Sequence, residues 1–362
     1  MLIGTDRGIF APDTVVRHRI ARLGSGYTDA LDSIVLSTRK HGVSESQELA
    51  PKVHAHPTNS FSRLFYVRDA VRIARKLERP GVISAQDPFE TGLVALFISR
   101  YWKVPLAVEV HTDFLAPAFA KHSLLNWVRV RIAGYVLSQA AGGYAVSQKI
   151  KDSVRARYRA APPLEVLPIY TDVSRFAALT HEKHSRFQTA LLWVGRMERE
   201  KNPERALDAL VAARRAGFDV GLTFVGTGRL RASLEEKVRR ENVAEWVEFV
   251  GTVSNPLPSP LPYYATADLL LVTSEYEGFG LVIVEALAAG VPVLSTDVGV
   301  AREAGAQIAE GNFSESLIEW LKHMDLDSGS RTRGVLKLSI YANEDEYLSR
   351  VVACYNSLGD LR

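Results

Sequence analysis

Residues 268–289 read Asp268-Leu269-Leu270-Leu271-Val272-Thr273-Ser274-Glu275-Tyr276-Glu277-Gly278-Phe279-Gly280-Leu281-Val282-Ile283-Val284-Glu285-Ala286-Leu287-Ala288-Ala289. The apolar run 268–272 predicts a buried strand. Val282–Ala289 predicts a short helix, with Gly290 suited to its C-cap and Pro292 blocking continuation. Between them, Gly278 and Gly280 let the backbone come close to a ligand. The free N–H groups and the dipole at the helix start make an anion site, and a diphosphate fits there. Glu277 stands just before the helix and Glu285 eight residues later. The two carboxylates bracket a ligand whose phosphate lies on the helix N-terminus, each accepting hydroxyl hydrogen bonds. That arrangement suits a sugar joined through a diphosphate to a ribose.

Outward from this stretch, short apolar runs alternate with longer helical patterns. Strands are predicted at 2–5, 33–37, 53–56, 81–85, 106–110, 143–146 and 164–167. After a polar stretch the pattern restarts at 190–194, 220–225, 247–250, 268–272 and 291–295, with a weak strand near Gln307. Helical patterns include 61–77, 203–216, 230–241 and 344–358. Such alternation indicates parallel βαβ units. The expected fold class is α/β, with two doubly wound Rossmann-like domains facing each other across a cleft. The expected boundaries are 1–175, 176–340 and a C-terminal helix over 341–362 that ties the domains together or packs on one of them. In that helix, Asn343 is a candidate N-cap with Glu346 at the capping-box position. Ligands of such sheets bind at the carboxyl ends of strands, so the loops after strands hold the chemistry.

The chain has 362 residues, 47% hydrophobic and 23% charged, an ordinary globular composition. The single Cys354 excludes an internal disulfide and a thiolate zinc cluster. The first seven residues lack the apolar core of a signal peptide. The longest apolar run, 281–295, is broken by Glu285 and Pro292 and is too short to span a bilayer. The expected location is therefore cytoplasmic. Net charge is +3, but residues 1–175 carry 24 basic and 15 acidic side chains, and the remainder carries 20 and 26. A basic half beside an acidic half suggests different partners. In the basic half, residues 63–76 and 121–131 are basic amphipathic stretches. The second, with Phe114, Phe119 and Trp127, is the better candidate for contact with an anionic membrane, peripherally on its inner face.

The stretch Glu277-Gly278-Phe279-Gly280-Leu281 through Glu285-Ala286 resembles the E-x7-E signature of the family-4 retaining glycosyltransferases, which have a GT-B fold. Residues 193–203 resemble that family's phosphate-clamp loop, and 222–228 and 247–253 its next two strand–loop units. The resemblance covers nearly all of 188–305, while the N-terminal half matches mainly in pattern. It implies a metal-independent retaining hexosyltransferase with no cofactor, using a nucleotide diphosphate sugar and a glycan, lipid-linked or small-molecule acceptor. It implies that Arg196 and Lys201 grip the donor diphosphate and that Glu285 holds the ribose. Glu277 would hold the transferred sugar, and backbone near Val253 would read the base. Gly278, Phe279, Gly280 and Leu281 complete the donor loop.

In the first half, His111 ends the strand Ala107-Val108-Glu109-Val110. The resemblance places it beside the donor sugar, with Asp113 as a weaker companion. Gly8 stands where the family often has a glycine pair. Asp87 and Glu90 lie in a polar loop that either binds acceptor or caps the following helix. A partial dinucleotide fingerprint at Gly226-Thr227-Gly228 carries Arg231 in place of its third glycine, and Asp325-Leu326-Asp327 lies remote from the phosphate loops; neither defines a site. No nucleic-acid motif appears. Two other readings stay open: a GT-B sugar-nucleotide epimerase and a non-catalytic nucleotide-sugar-binding protein.

Overall fold

The computed structural model describes residues 1–27, 30–252, 260–324, 333–339 and 341–359. The chain divides into two compact units, 1–170 with 341–362, and 171–340. The first contains β1 (Leu2–Gly4), β2 (Leu31–Val35), β3 (Gln47–Ala50), β4 (Val53–Pro57), β5 (Ile83–Ala85), β6 (Leu106–Val110), β7 (Gly142–Ala145) and β8 (Glu165–Val166). They form one sheet in the order β3-β4-β2-β1-β5-β6-β7-β8. Every neighbouring pair is parallel except β3–β4. The central strands β1, β5 and β6 are buried at every residue. Strands covered on both faces read as mostly apolar runs, here interrupted by Ser84 and Glu109, which is why these were visible in the sequence. β3 was not expected: its Gln47-Glu48-Leu49-Ala50 is half-exposed on the sheet edge and carries no such run.

The second unit contains β9 (Thr189–Val194), β10 (Val220–Val225), β11 (Val247–Gly251), β12 (Leu269–Val272), β13 (Val293–Ser295) and β14 (Gln307–Ile308). They form a fully parallel sheet in the order β11-β10-β9-β12-β13-β14. The order reverses between β9 and β12, and the crevice beyond such a reversal is where open α/β sheets bind ligands. Helix Pro203–Arg215 follows the loop after β9. Asn202 starts it from a left-handed conformation, its side chain accepting from the Arg205 N–H, with Pro203 at the first helical position. Its buried face of Ala206, Leu207, Leu210 and Val211 packs into a core with Trp193, Leu222 and Phe224. Each such leucine stabilises the fold by about 1.5–3 kcal/mol.

The last helix, Glu344–Gly359, belongs to the first unit. Asn343 Oδ1 accepts the Glu346 N–H at 2.9 Å. The Glu346 carboxylate reaches back to the Ala342 N–H at 2.8 Å, one residue before the expected partner. Tyr347, Leu348, Val351, Val352 and Tyr355 are buried, so the apolar face read from the sequence is the packed one. The helix lies on β7 and on helix Val15–Tyr27, where Arg22 pairs with Glu344 and Asp345. No helix among the described residues is long and apolar enough to cross a membrane.

Candidate functional site

In the second unit, the loops after β9 and β12 are bound to each other. The Thr273 hydroxyl is fully buried and accepts the Trp193 indole N–H at 3.1 Å. Its own proton is shared between the Asn202 carbonyl at 2.8 Å and the Lys201 carbonyl at 3.1 Å. The Glu275 N–H reaches the Glu200 carbonyl at 2.8 Å, and Thr296 Oγ1 donates to the Ser274 carbonyl at 2.7 Å. This frame brings Lys201 Nζ to 2.5 Å from Glu277 Oε1, which also accepts from Ser274 Oγ at 2.7 Å. Arg196 pairs with Glu200 at 2.9 Å and is largely exposed. Of the two expected cations, Lys201 therefore joins the glutamate and Arg196 pairs separately.

Gly280 caps the following helix, Leu281–Ala288, at φ +94°, with no side-chain cap among the described residues; the Ile283 N–H is taken by the Gly280 carbonyl at 2.9 Å. Gly299 runs against this loop at φ +49°; a Cβ there would fall 2.2 Å from the Phe279 carbonyl, which accepts the Val300 N–H at 2.9 Å. Phe279 is buried beneath, Gly278 is half-buried and Leu281 is exposed. Glu285 Oε2 accepts the Tyr264 hydroxyl at 2.7 Å. Burial pushes the Glu285 carboxyl up, and the hydrogen bond from Tyr264 opposes this only in part. Burial, with the charges of Glu200 and Glu275 behind it, pushes the Tyr276 hydroxyl up to about 12. Val253, Asp325 and Asp327 lie outside the described residues.

Gly226 and Gly228 serve the same frame. A Cβ on Gly226 would lie 1.9 Å from the Gly195 carbonyl, and one on Gly228 2.5 Å from that of Met197. Their spacing, which resembles a dinucleotide fingerprint, lets the ends of β9 and β10 and their loops touch.

The first unit has a cavity of about 230 Å³ at the carboxyl ends of β1, β5 and β6. Thr5, Asp6, Gln86, Asp87 and His111 line it, with Arg19 from the first helix and Tyr347 from the last. The Asp87 carboxylate accepts the Phe89 N–H at 2.7 Å, so it shapes the entry to helix Glu90–Trp102 while facing the cavity. Burial pushes its carboxyl up against those bonds. Glu90 does not line the cavity; it holds Arg129 through contacts of 2.8–3.1 Å. Asp113 is also outside the lining, buried in the turn before helix Pro117–His122, where burial raises its carboxyl and the Lys149 charge opposes this. Gly8 donates its N–H to Asp6 Oδ1 at 2.9 Å inside a 3-10 turn.

Two residues of this region escaped the sequence reading. Gly4, inside β1, is the glycine at a close approach: a Cβ there would fall 2.2 Å from Gln86 Oε1. Glu109 is buried with His111 Nε2 at 3.0 Å. A charged residue inside the apolar strand 106–110 was the available signal, because a buried carboxylate needs partners. Among the described residues no group of three or more His, Cys, Asp or Glu is placed to hold a metal ion.

Residues 188–324 match the family model described as glycosyl transferases group 1. Residues 16–169 match the glycosyl transferase 4-like domain. The chain is 26% identical over 236 residues to a glycogen synthase of Mycobacterium tuberculosis, covering 62% of this chain and 54% of that protein. It thus spans about half the length of the curated relatives it matches over most of itself. It is 34% identical over 114 residues to the lipopolysaccharide core biosynthesis mannosyltransferase LpsB of Rhizobium meliloti, 30% of this chain and 31% of that one. Among solved structures, sucrose-phosphate synthase from Thermosynechococcus elongatus aligns over 99% of this chain and 96% of its own, at a TM-score of 0.71 and 17% identity. The Anabaena protein HepE, solved with UDP and glucose, aligns over 100% and 95%, at 0.63 and 16%. These likenesses show the GT-B fold that the resemblance implied. The two family models follow one another along the chain, one on each α/β unit, and the chain belongs to the group 1 glycosyltransferases.

Proposed function

We propose that the protein is a retaining hexosyltransferase that moves a sugar from a nucleotide diphosphate sugar to an acceptor without a metal ion. The observation that carries this is the Lys201–Glu277 pair, at 2.5 Å, beside the start of helix Leu281–Ala288, which has no side-chain cap among the described residues. The N–H groups of that helix and the Lys201 ammonium supply positive charge where a diphosphate would sit. Charge grows on the departing diphosphate as the glycosidic bond breaks, so groups fixed in advance against it lower the barrier. In this reading Lys201, with Arg196 at the rim, neutralises the diphosphate in place of a metal. Glu277 faces the transferred sugar and Glu285 the ribose. The first unit takes the acceptor, a glycan, a lipid-linked sugar or a small molecule, and contributes His111. HepE was solved with UDP and glucose, which favours a uridine nucleotide among the donors to try first.

The test is release of nucleoside diphosphate by the full chain, given UDP-, GDP- and ADP-sugars in turn with glycan and lipid-extract acceptors in EDTA. Turnover that survives EDTA, with a product anomer matching the donor by NMR, is expected. Activity lost in EDTA and restored by manganese or magnesium would contradict metal independence; an inverted anomer would contradict retention. Conversion of the donor sugar without any acceptor would point to an epimerase instead.

A further inference from the structure

Glu109 sits two residues before His111 at the end of β6 and is almost wholly buried. Its carboxylate receives four donors. Oε1 accepts from Ser84 Oγ at 2.8 Å and from the Tyr355 hydroxyl at 2.7 Å. Oε2 accepts from the Tyr144 hydroxyl at 2.8 Å and faces His111 Nε2 at 3.0 Å. A carboxylate offers about four acceptor positions, so this one is filled. Burial alone would raise its pKa, but the His111 hydrogen bond and charge, with bonds from Tyr355 and Ser84, outweigh it and hold the carboxyl below the usual range. Glu109 is therefore an anion, and an anion cannot donate. The proton in the Glu109–His111 contact must be on Nε2. The other ring nitrogen, Nδ1, has no hydrogen-bond partner among the described residues, and His111 lines the cavity of the first unit. The ring is also held edge-on against Tyr144, with centroids 5.7 Å apart.

We propose that Glu109 is a positioning residue for His111: it fixes the ring in the Nε2–H tautomer and leaves Nδ1 as the nitrogen that meets the substrate, with Tyr355 of the last helix holding Glu109 in place. Tyr355 is 246 residues from Glu109 in the chain, so the last helix is part of the support of the site. The histidine's role in turnover rests on the glycosyltransferase reading; its tautomer does not. The arrangement follows a general rule for functional imidazoles, in which the partner of one ring nitrogen decides what the other can do. Here the partner is a fully satisfied buried anion, and its other three bonds prevent it from turning away.

The test combines NMR and kinetics on the full chain. Histidines are labelled with 15N, and the His111 signals are identified by their loss in His111→Ala. Above the titration of the ring, wild-type His111 should show the Nε2–H tautomer. Glu109→Gln keeps the shape of the side chain but removes its charge, and should give a mixture of tautomers. A wild-type Nδ1–H tautomer, or identical His111 signals in wild type and Glu109→Gln, would overturn the proposal whether or not turnover is found. Where turnover is found, Glu109→Gln should lower kcat by about ten- to hundredfold, the scale of a misplaced group, with donor KM within about twofold. Tyr355→Phe should lower kcat less, in the same direction. In the His111→Ala background, Glu109→Gln should have almost no further effect, because residues acting as a unit are not additive. Equal losses in both backgrounds, tracking a lower Tm, would mean a purely structural carboxylate and would also overturn it.

Discussion

Lys201 and Glu277 neutralise each other in the second unit, and this sets what each can do for a ligand. Their side chains are 23% and 11% exposed, so the pair is only partly screened by water. An incoming diphosphate gains the ammonium without the cost of ordering it, because Glu277, Ser274 and the Lys201 backbone already hold it in place. Glu285 is a different kind of carboxylate. It is half-buried, and among the described residues its hydrogen-bond partner is a neutral phenol, Tyr264. Its carboxyl is raised in the folded state, so the fold binds that proton more tightly than the unfolded chain does. Stability is therefore lost as pH rises from the ordinary carboxyl range through the raised value. Glu285→Gln should raise Tm at pH 7.5 and change it little at pH 4, where the native carboxyl is already neutral. It should also weaken nucleotide affinity by about 1 kcal/mol, since a neutral amide accepts ribose hydroxyls less strongly. Thermal melts at both pH values and calorimetry check this; an equal Tm shift at both pH values would remove the charge from the explanation. The sequence shows both glutamates, eight residues apart. It could not show that one has an ionic partner and the other a phenol, because Lys201 and Tyr264 come from other segments of the chain.

At the scale of elements, the site depends on how two loops are bound together. Thr273 does this with one buried hydroxyl, shared among Trp193, Asn202 and Lys201. Thr273→Val keeps the shape and removes every one of these bonds. It strands a buried indole N–H and the Lys201 carbonyl, a cost of about 1–3 kcal/mol for each group left unpaired, while the Asn202 carbonyl keeps the Arg205 N–H at 3.2 Å. The expected result is a clearly lower Tm together with weaker nucleotide binding, because the Lys201 backbone loses its tether. Denaturant melts and calorimetry on the same variant test this; an unchanged Tm would show that the hydroxyl is not a tie. None of this was legible in Thr273 itself, which reads as the end of a strand. The strands were legible wherever helices cover both faces, as in β6 and β10. β3 was not, because a short antiparallel edge strand has no buried face to impose a pattern. The predicted helix over 61–77 begins as a 3-10 turn, Arg63–Phe65, and is α-helical only over Tyr66–Ala74. Phe61 and Leu64, apolar residues that extended the pattern, are 80% and 91% exposed.

At the scale of the whole molecule, charge and apolar exposure coincide in the first unit. Residues 1–170 and 341–362, which make up that unit, carry 25 basic and 18 acidic side chains. Helix Leu124–Leu137 in that unit leaves Leu124, Leu125, Trp127 and Val128 exposed, and Arg131 lies over the Trp127 ring at 4.8 Å. Exposed apolar side chains among cations suit an anionic lipid surface, which would serve a lipid-linked acceptor. Binding to vesicles containing phosphatidylglycerol should exceed binding to phosphatidylcholine, and should fall with salt and in Trp127→Ser. Equal partitioning to both lipids would favour an acceptor free in solution. The two-unit plan was readable because strand and helix patterns restart after residue 188, whereas the assignment of the last helix to the first unit depends on packing that no local pattern records. The central claim is that the second unit grips a diphosphate through Lys201 and the start of helix Leu281–Ala288. Calorimetric titration of the full chain with UDP, GDP and ADP in EDTA tests it most directly. The account predicts that one of them binds and that Lys201→Ala weakens it by about 1.5–3 kcal/mol, the range for a hydrogen bond to a charged group. Binding that requires added metal, or that is unchanged in Lys201→Ala, would contradict it.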